Sequence, residues 1–127
     1  MQKIWYFYKK TKKFKELNNL KFSINEDILN RKADFILIKN NKIINIEVNY
    51  FFSSGSKPEE IVDSYINRKN DLKQNNIEFI LISDGLCWNN EFKSQLNKVF
   101  KYIDLMNFYM ASNGYLEDII KTYLDIK

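Results

Sequence analysis

Two stretches rich in β-branched and aromatic residues, 33–39 and 42–51, flank the dipeptide Asn40-Asn41. Asparagine tolerates the left-handed backbone that a two-residue turn requires, so these stretches read as a β-hairpin. No other feature constrains the fold as strongly, because the turn also sets the register. Lys39 faces Lys42, and Asp34 comes to lie opposite Glu47. Side-chain alternation then gathers Ala33, Phe35, Leu37, Ile44, Ile46 and Val48 on one apolar face. The other face carries Asp34, Ile36, Ile38, Ile43, Asn45, Glu47 and Asn49, apolar near the turn and polar at the open end. Opposed like charges, with Cβ atoms ~5 Å apart, destabilise a strand pair. Two carboxylates converging at one sheet end make sense around a divalent cation held by oxygen ligands. A slip of one residue would instead put them on opposite faces.

The remaining elements follow from periodicity. Residues 4–17 read as a helix and 20–24 as a short strand. Ser53-Ser54-Gly55 breaks the hairpin pattern, and Ser56 precedes Glu59 at capping-box spacing with Pro58 in the first turn. Ile61, Val62, Tyr65, Ile66 and Leu72 then mark a helix reaching about Gln74. The apolar run 77–82, ended by Ser83-Asp84-Gly85, predicts a strand buried on both faces, as in the middle of a mixed sheet. Phe92, Leu96, Val99, Phe100 and Ile103 define a further helix, 105–111 a short strand, and Leu116 to Leu124 a last helix. The expectation is one α/β domain over residues 1–127, a mixed central sheet flanked by helices, with the fourth strand beside the first. No apolar run approaches the roughly 18 residues that span a bilayer, so the cytoplasm is the default location.

The chain has no histidine and a single cysteine, Cys87. That removes Ser-His-Asp and Cys-His nucleophiles, zincins and cysteine-built zinc sites. Chemistry is left to carboxylates, lysines, amides, hydroxyls and an oxygen-liganded metal. The charge is uneven: residues 1–21 form a basic helix or arm with seven lysines against Glu16. Lys3, Lys9, Lys10, Lys12 and Lys13 interleave with Trp5, Tyr6, Phe7, Tyr8 and Phe14. Such a pattern suits a polyanion-binding surface, and equally a solvated helix face with its aromatics turned inward.

Several blocks in order resemble the DpnII/MboI family of type II restriction endonucleases: Asp34-Phe-Ile-Leu-Ile, Ile46-Glu-Val-Asn-Tyr-Phe51, Ser54-Gly-Ser-Lys57, Glu60-Ile-Val-Asp-Ser-Tyr65 and Phe79-Ile-Leu-Ile-Ser-Asp-Gly-Leu-Cys-Trp88. The likeness covers roughly residues 30–115, in a family whose members are expected to be longer. It implies the PD-(D/E)XK restriction-endonuclease-like fold, with residues 33–51 as the catalytic hairpin. It also implies Mg²⁺-dependent cleavage of double-stranded DNA at GATC, with Mn²⁺ as a substitute. Asp34, Glu47 and the Val48 backbone carbonyl become metal ligands, and Asn49 stands where the wider group has lysine. Lys57 is the candidate for the missing positive charge, and Glu60 for a second metal or for holding Lys57. Lys9, Lys10, Lys12, Lys13 and Lys42 are expected at phosphates, with Ser54, Gly55, Arg68, Asn89 and Asn90 as DNA-facing candidates. For both Arg68 and Asn90 the structural reading, a solvated side chain and a helix cap respectively, outweighs the DNA-facing one. A homodimer and a cognate DNA methyltransferase are the implied partners. The rival readings are a DNA-binding module that kept the fold without the chemistry, and a protein-interaction domain.

Overall fold

Asn40 takes a φ of 57°, and the hairpin closes on it with Lys39 opposite Lys42, the predicted register. The structure is a computed structural model that describes residues 2–50, 58–84 and 93–126. Its elements are α1 (Gln2–Asn18), β1 (Lys21–Ile28), β2 (Arg31–Lys39), β3 (Lys42–Tyr50), α2 (Pro58–Gln74), β4 (Ile77–Asp84), α3 (Lys93–Tyr102), β5 (Asp104–Met106), α4 (Phe108–Ser112) and α5 (Tyr115–Leu124). The strands form one mixed five-stranded sheet flanked by helices, the predicted α/β class.

The strand order, β1-β2-β3-β4-β5, corrects one expectation. β4 lies beside β3 and parallel to it, not beside β1. A parallel neighbour needs a crossover of a dozen or more residues, and the segment containing α2 supplies it. β4 is sandwiched between β3 and β5 and buried along nearly its whole length, which is why its sequence does not alternate. β1 is left as an edge. It is longer than predicted because Asn25-Glu26-Asp27, exposed along that edge, hide the strand from an apolar pattern. The expected strand over 105–111 is only Asp104–Met106. Asn107 then caps α4, its side chain accepting from the Met110 amide at 2.7 Å.

The hairpin's two faces lie in separate cores. Phe35, Leu37, Ile44, Ile46 and Val48 pack with Phe7 and Phe14 of α1 and with α4 and α5. On the opposite face, Phe79 and Leu81 pack under Val62, Tyr65 and Leu72 of α2 and Val99 of α3. Among the described residues no helix is long and apolar enough to cross a membrane.

Candidate functional site

The β2–β3 ladder runs from Lys39↔Lys42 to Phe35↔Ile46 and stops there. Asp34 and Glu47 are the next positions on the two strands, so the carboxylates stand where the strands part. The β1–β2 register also omits Asp34: the pair it would make with Asn25 is skipped, and Asn25 takes a left-handed φ of 52°. Asp34 is thus outside the ladder on both sides. Its carboxylate accepts from the Val48 amide at 2.8 Å through Oδ2, in place of a strand-to-strand bond.

Glu47 pairs with Leu81 and so belongs to the α2 face. It is buried, and its Oε1 has no hydrogen-bond partner among the described residues. Oε2 lies 3.7 Å from an Arg31 guanidinium nitrogen. Burial pushes the Asp34 carboxyl above its usual range, against the Val48 hydrogen bond that favours its anion. Burial does the same to Glu47. Arg31 and Arg68 oppose that rise, and the neighbouring Asp34 charge adds to it. The Tyr65 hydroxyl is held well above the ordinary phenol range, first by burial and then by the charge of Glu47. Two crowded, partly desolvated carboxylates with an orphaned oxygen between cationic neighbours fit a hard divalent cation. Among the described residues no group of three His, Cys, Asp or Glu side chains gathers.

A cleft of about 520 Å³ opens between the β1–β2 turn and α2, lined by Leu29, Arg31, Glu60, Asp63, Arg68 and Asp71 among others; neither Asp34 nor Glu47 lines it, and Arg31 is its link to Glu47. It brings Glu60, a sequence candidate, to the same region as Arg31. Arg31 itself went unnoticed in the sequence. It lies outside the hairpin's carboxylate end by register and reaches Glu47 only because the tight Leu29-Asn30 turn, φ 51° and 64°, folds β1 onto β2.

The other candidates fall elsewhere. Arg68, expected at a DNA groove or in solvent, is 5% exposed and donates to the carbonyls of Ile28 at 2.8 Å and Arg31 at 3.4 Å. Its role is to clamp the β1–β2 turn to α2. Lys42 sits at the turn end of the hairpin and pairs with Asp125. Five residues of strand, about 17 Å, separate it from Glu47. Lys9, Lys10, Lys12 and Lys13 ride on α1, across the sheet from the carboxylates. Lys10 pairs with Glu117 at 3.0 Å, while Lys9 and Lys12 lie over the Trp5 and Tyr8 rings. The inward-aromatic reading therefore holds for Phe7 and Phe14, whereas Trp5 and Tyr6 are exposed. The backbone of Asn49 pairs with Ser83, but its side chain, together with Ser54, Gly55, Lys57, Asn89 and Asn90, lies outside the described residues.

Asn45, two residues before Glu47 on the same face, is fully buried with neither amide atom hydrogen-bonded among the described residues. An unsatisfied buried polar group costs about 1–3 kcal/mol. Asn45→Val is therefore expected to raise the urea midpoint by about 1 kcal/mol or more of stability. An unchanged or lower midpoint would show that the amide has partners in solution.

A family model described as DpnII restriction endonuclease matches residues 1–118. The type II restriction enzyme MjaIII of Methanocaldococcus jannaschii is 34% identical over 99 residues, covering 74% of this chain and 34% of that enzyme. The type II restriction enzyme MboI of Moraxella bovis is 28% identical over 110 residues, covering 83% of this chain and 38% of that enzyme. The chain thus spans little more than a third of the length of the curated relatives it matches. No solved structure gives a significant match.

Proposed function

From membership of the DpnII restriction endonuclease family, to which this chain belongs, we propose that Asp34 and Glu47 form the divalent-cation centre of a PD-(D/E)XK nuclease that hydrolyses double-stranded DNA at GATC. The observation that carries this reading is the meeting of two carboxylates beyond the end of the ladder, with Glu47 Oε1 buried and unpartnered among the described residues. A surface hairpin gains nothing from such an arrangement, whereas a cation relieves both the repulsion and the desolvation.

A bound Mg²⁺, or Mn²⁺ in its place, would supply Lewis-acid polarisation of the scissile phosphate and acidify the attacking water. The chain's own groups do the rest. Asp34 and Glu47 hold the centre, with the Val48 carbonyl as a further oxygen donor. The Val48 N–H keeps the Asp34 carboxylate aimed and partly offsets the effect of its burial. Asn49 orients the attacking water by hydrogen bonding, and Lys57 offsets charge on the phosphate oxygens. Glu60, which lines the cleft, would hold Lys57 or a second cation. With no histidine in the chain, proton removal falls to solvent or to a neighbouring phosphate. Cutting both strands of a palindrome calls for two sites related by a two-fold axis, hence a homodimer or two successive nicks. A methyltransferase that protects the same sequence would be the functional companion.

A plasmid with GATC sites and one without, each incubated with Mg²⁺ and with EDTA, test this reading. Discrete fragments are expected only from the GATC plasmid with Mg²⁺. Equal digestion of both plasmids would remove the sequence preference and leave a general nuclease. Digestion of neither would remove catalysis from this chain.

A further inference from the structure

A phosphodiesterase site needs positive charge for the phosphate as well as carboxylates for the metal, and Asn49 is neutral. Arg31 meets that need by its geometry. Its guanidinium lies 3.7 Å from Glu47 Oε2, close enough to balance the charge and too far for an N–H···O bond. The donors are therefore not committed to the carboxylate. The guanidinium carbon sits 5.5 Å from the centroid of the Tyr65 ring, a cation–π contact, and the guanidinium also donates to the Tyr65 hydroxyl. The Arg31 side chain is 41% exposed and lines the cleft between the β1–β2 turn and α2.

Its backbone, by contrast, is held firmly. The turn that places it contains two left-handed residues, Leu29 and Asn30, and Arg68 grips the carbonyls on either side, of Ile28 and Arg31. The two arginines thus divide the work: one is buried and fixed, the other exposed and able to swing from a fixed root.

We propose that Arg31 is a phosphate-holding cation of the site in addition to Lys57, balancing Glu47 until a divalent ion takes that carboxylate, and then turning its guanidinium to a non-bridging oxygen of the DNA backbone. This rests on the reading of Asp34 and Glu47 as a divalent-cation centre. A guanidinium can present two parallel N–H donors to a phosphate, which neither an asparagine amide nor a lysine ammonium reproduces.

The test compares the full chain with Arg31→Met and Arg31→Lys in three measurements. The first is affinity for a short duplex across a salt series at a fixed concentration of Ca²⁺, so that a divalent ion is available to the carboxylates. Arg31→Met should reduce the slope of log affinity against log salt by about one, on duplexes of any sequence, and Arg31→Lys should keep it. The second is Mn²⁺ binding without DNA, followed by the electron spin resonance of the free ion. Arg31→Met should bind Mn²⁺ as tightly as the parent or several-fold more tightly, because a competing cation is gone. The third is cleavage, expected to fall about 10²–10³-fold in Arg31→Met, with Arg31→Lys recovering only part.

An unchanged salt slope in Arg31→Met would overturn the proposal. So would weakened Mn²⁺ binding in that variant, which would mark Arg31 as a structural prop. If the parent binds no Mn²⁺ while the slope still drops by about one, the cation-centre reading fails and the phosphate role of Arg31 stands.

Discussion

Replacing either carboxylate, Asp34→Ala or Glu47→Ala, is expected to lower cleavage by at least about 10³-fold while leaving the fold intact, since metal chemistry supplies several kcal/mol and each 1.36 kcal/mol is tenfold. Both side chains stand beyond the last pair of the β2–β3 ladder, so the sheet loses at most the single Asp34–Val48 hydrogen bond. The isosteric variants Asp34→Asn and Glu47→Gln sharpen the test, because they separate charge from shape. Burial is the main cause raising both carboxyls, so the folded state disfavours their anions. A carboxyl whose folded pKa lies above its unfolded value imposes no penalty while protonated in both states. Its penalty grows as pH rises through the folded value and is complete above it. Metal-free Asp34→Asn and Glu47→Gln should therefore be more stable than the parent at pH 7. The gap should close on acidification and vanish below about pH 4, the unfolded range. Urea denaturation at several pH values reads this directly. Equal or lower stability in the variants at neutral pH, with cleavage retained, would end the cation-pair reading.

The largest effect on stability is expected at Arg68. Arg68→Met keeps the length of the side chain and removes its charge and donors. Two carbonyls then lose a buried charged donor, and Glu47 loses one of its two cationic neighbours. Breaking a buried charged network from one side costs about 3–5 kcal/mol. The cost has two parts with different pH behaviour. The lost carbonyl bonds are independent of pH. The Glu47 part is present above the folded pKa of that carboxyl, fades as pH falls through it, and is absent once Glu47 is protonated in both states. The deficit measured by urea midpoint should thus be larger at pH 7 than at pH 4. Arg68→Lys should rescue little, because an ammonium cannot reach two carbonyls in the planar geometry of a guanidinium. A deficit below about 1 kcal/mol would show that the β1–β2 turn stands without its clamp.

Much of this arrangement was legible in the sequence where local chemistry decides it. Asn40-Asn41 announced a turn, and the turn's register carried the carboxylates to the open end of the hairpin. The unbroken apolar run 77–82 announced a strand buried on both faces. What stayed hidden depends on contacts between distant segments. Nothing in the alternation of β3 says whether α2 returns the chain to its neighbour or across the sheet. The edge strand β1 carries Asn25, Glu26 and Asp27 on an exposed rim, where no apolar pattern can form. Arg31 and Arg68 are 37 residues apart, and only the folded turn makes one the anchor of the other. Arg68 in particular looked like a solvated helix cation, because a buried guanidinium bound to carbonyls leaves no periodic trace.

The double omission of Asp34 from its neighbouring ladders has a dynamic consequence. A residue inside a sheet is ordinarily freed only when a cooperative block of strands opens, at nearly the full cost of unfolding. Here the left-handed Asn25 on one side and the parting of β2 from β3 on the other leave Asp34 held chiefly by its own side chain on the Val48 amide. Opening at Asp34 alone is therefore expected to cost less than opening of the fully buried Phe79 to Ile82. If Asp34 and Glu47 hold a cation as proposed, the ordering that the ion imposes is confined to that point, and its entry is separated from the global stability of the fold.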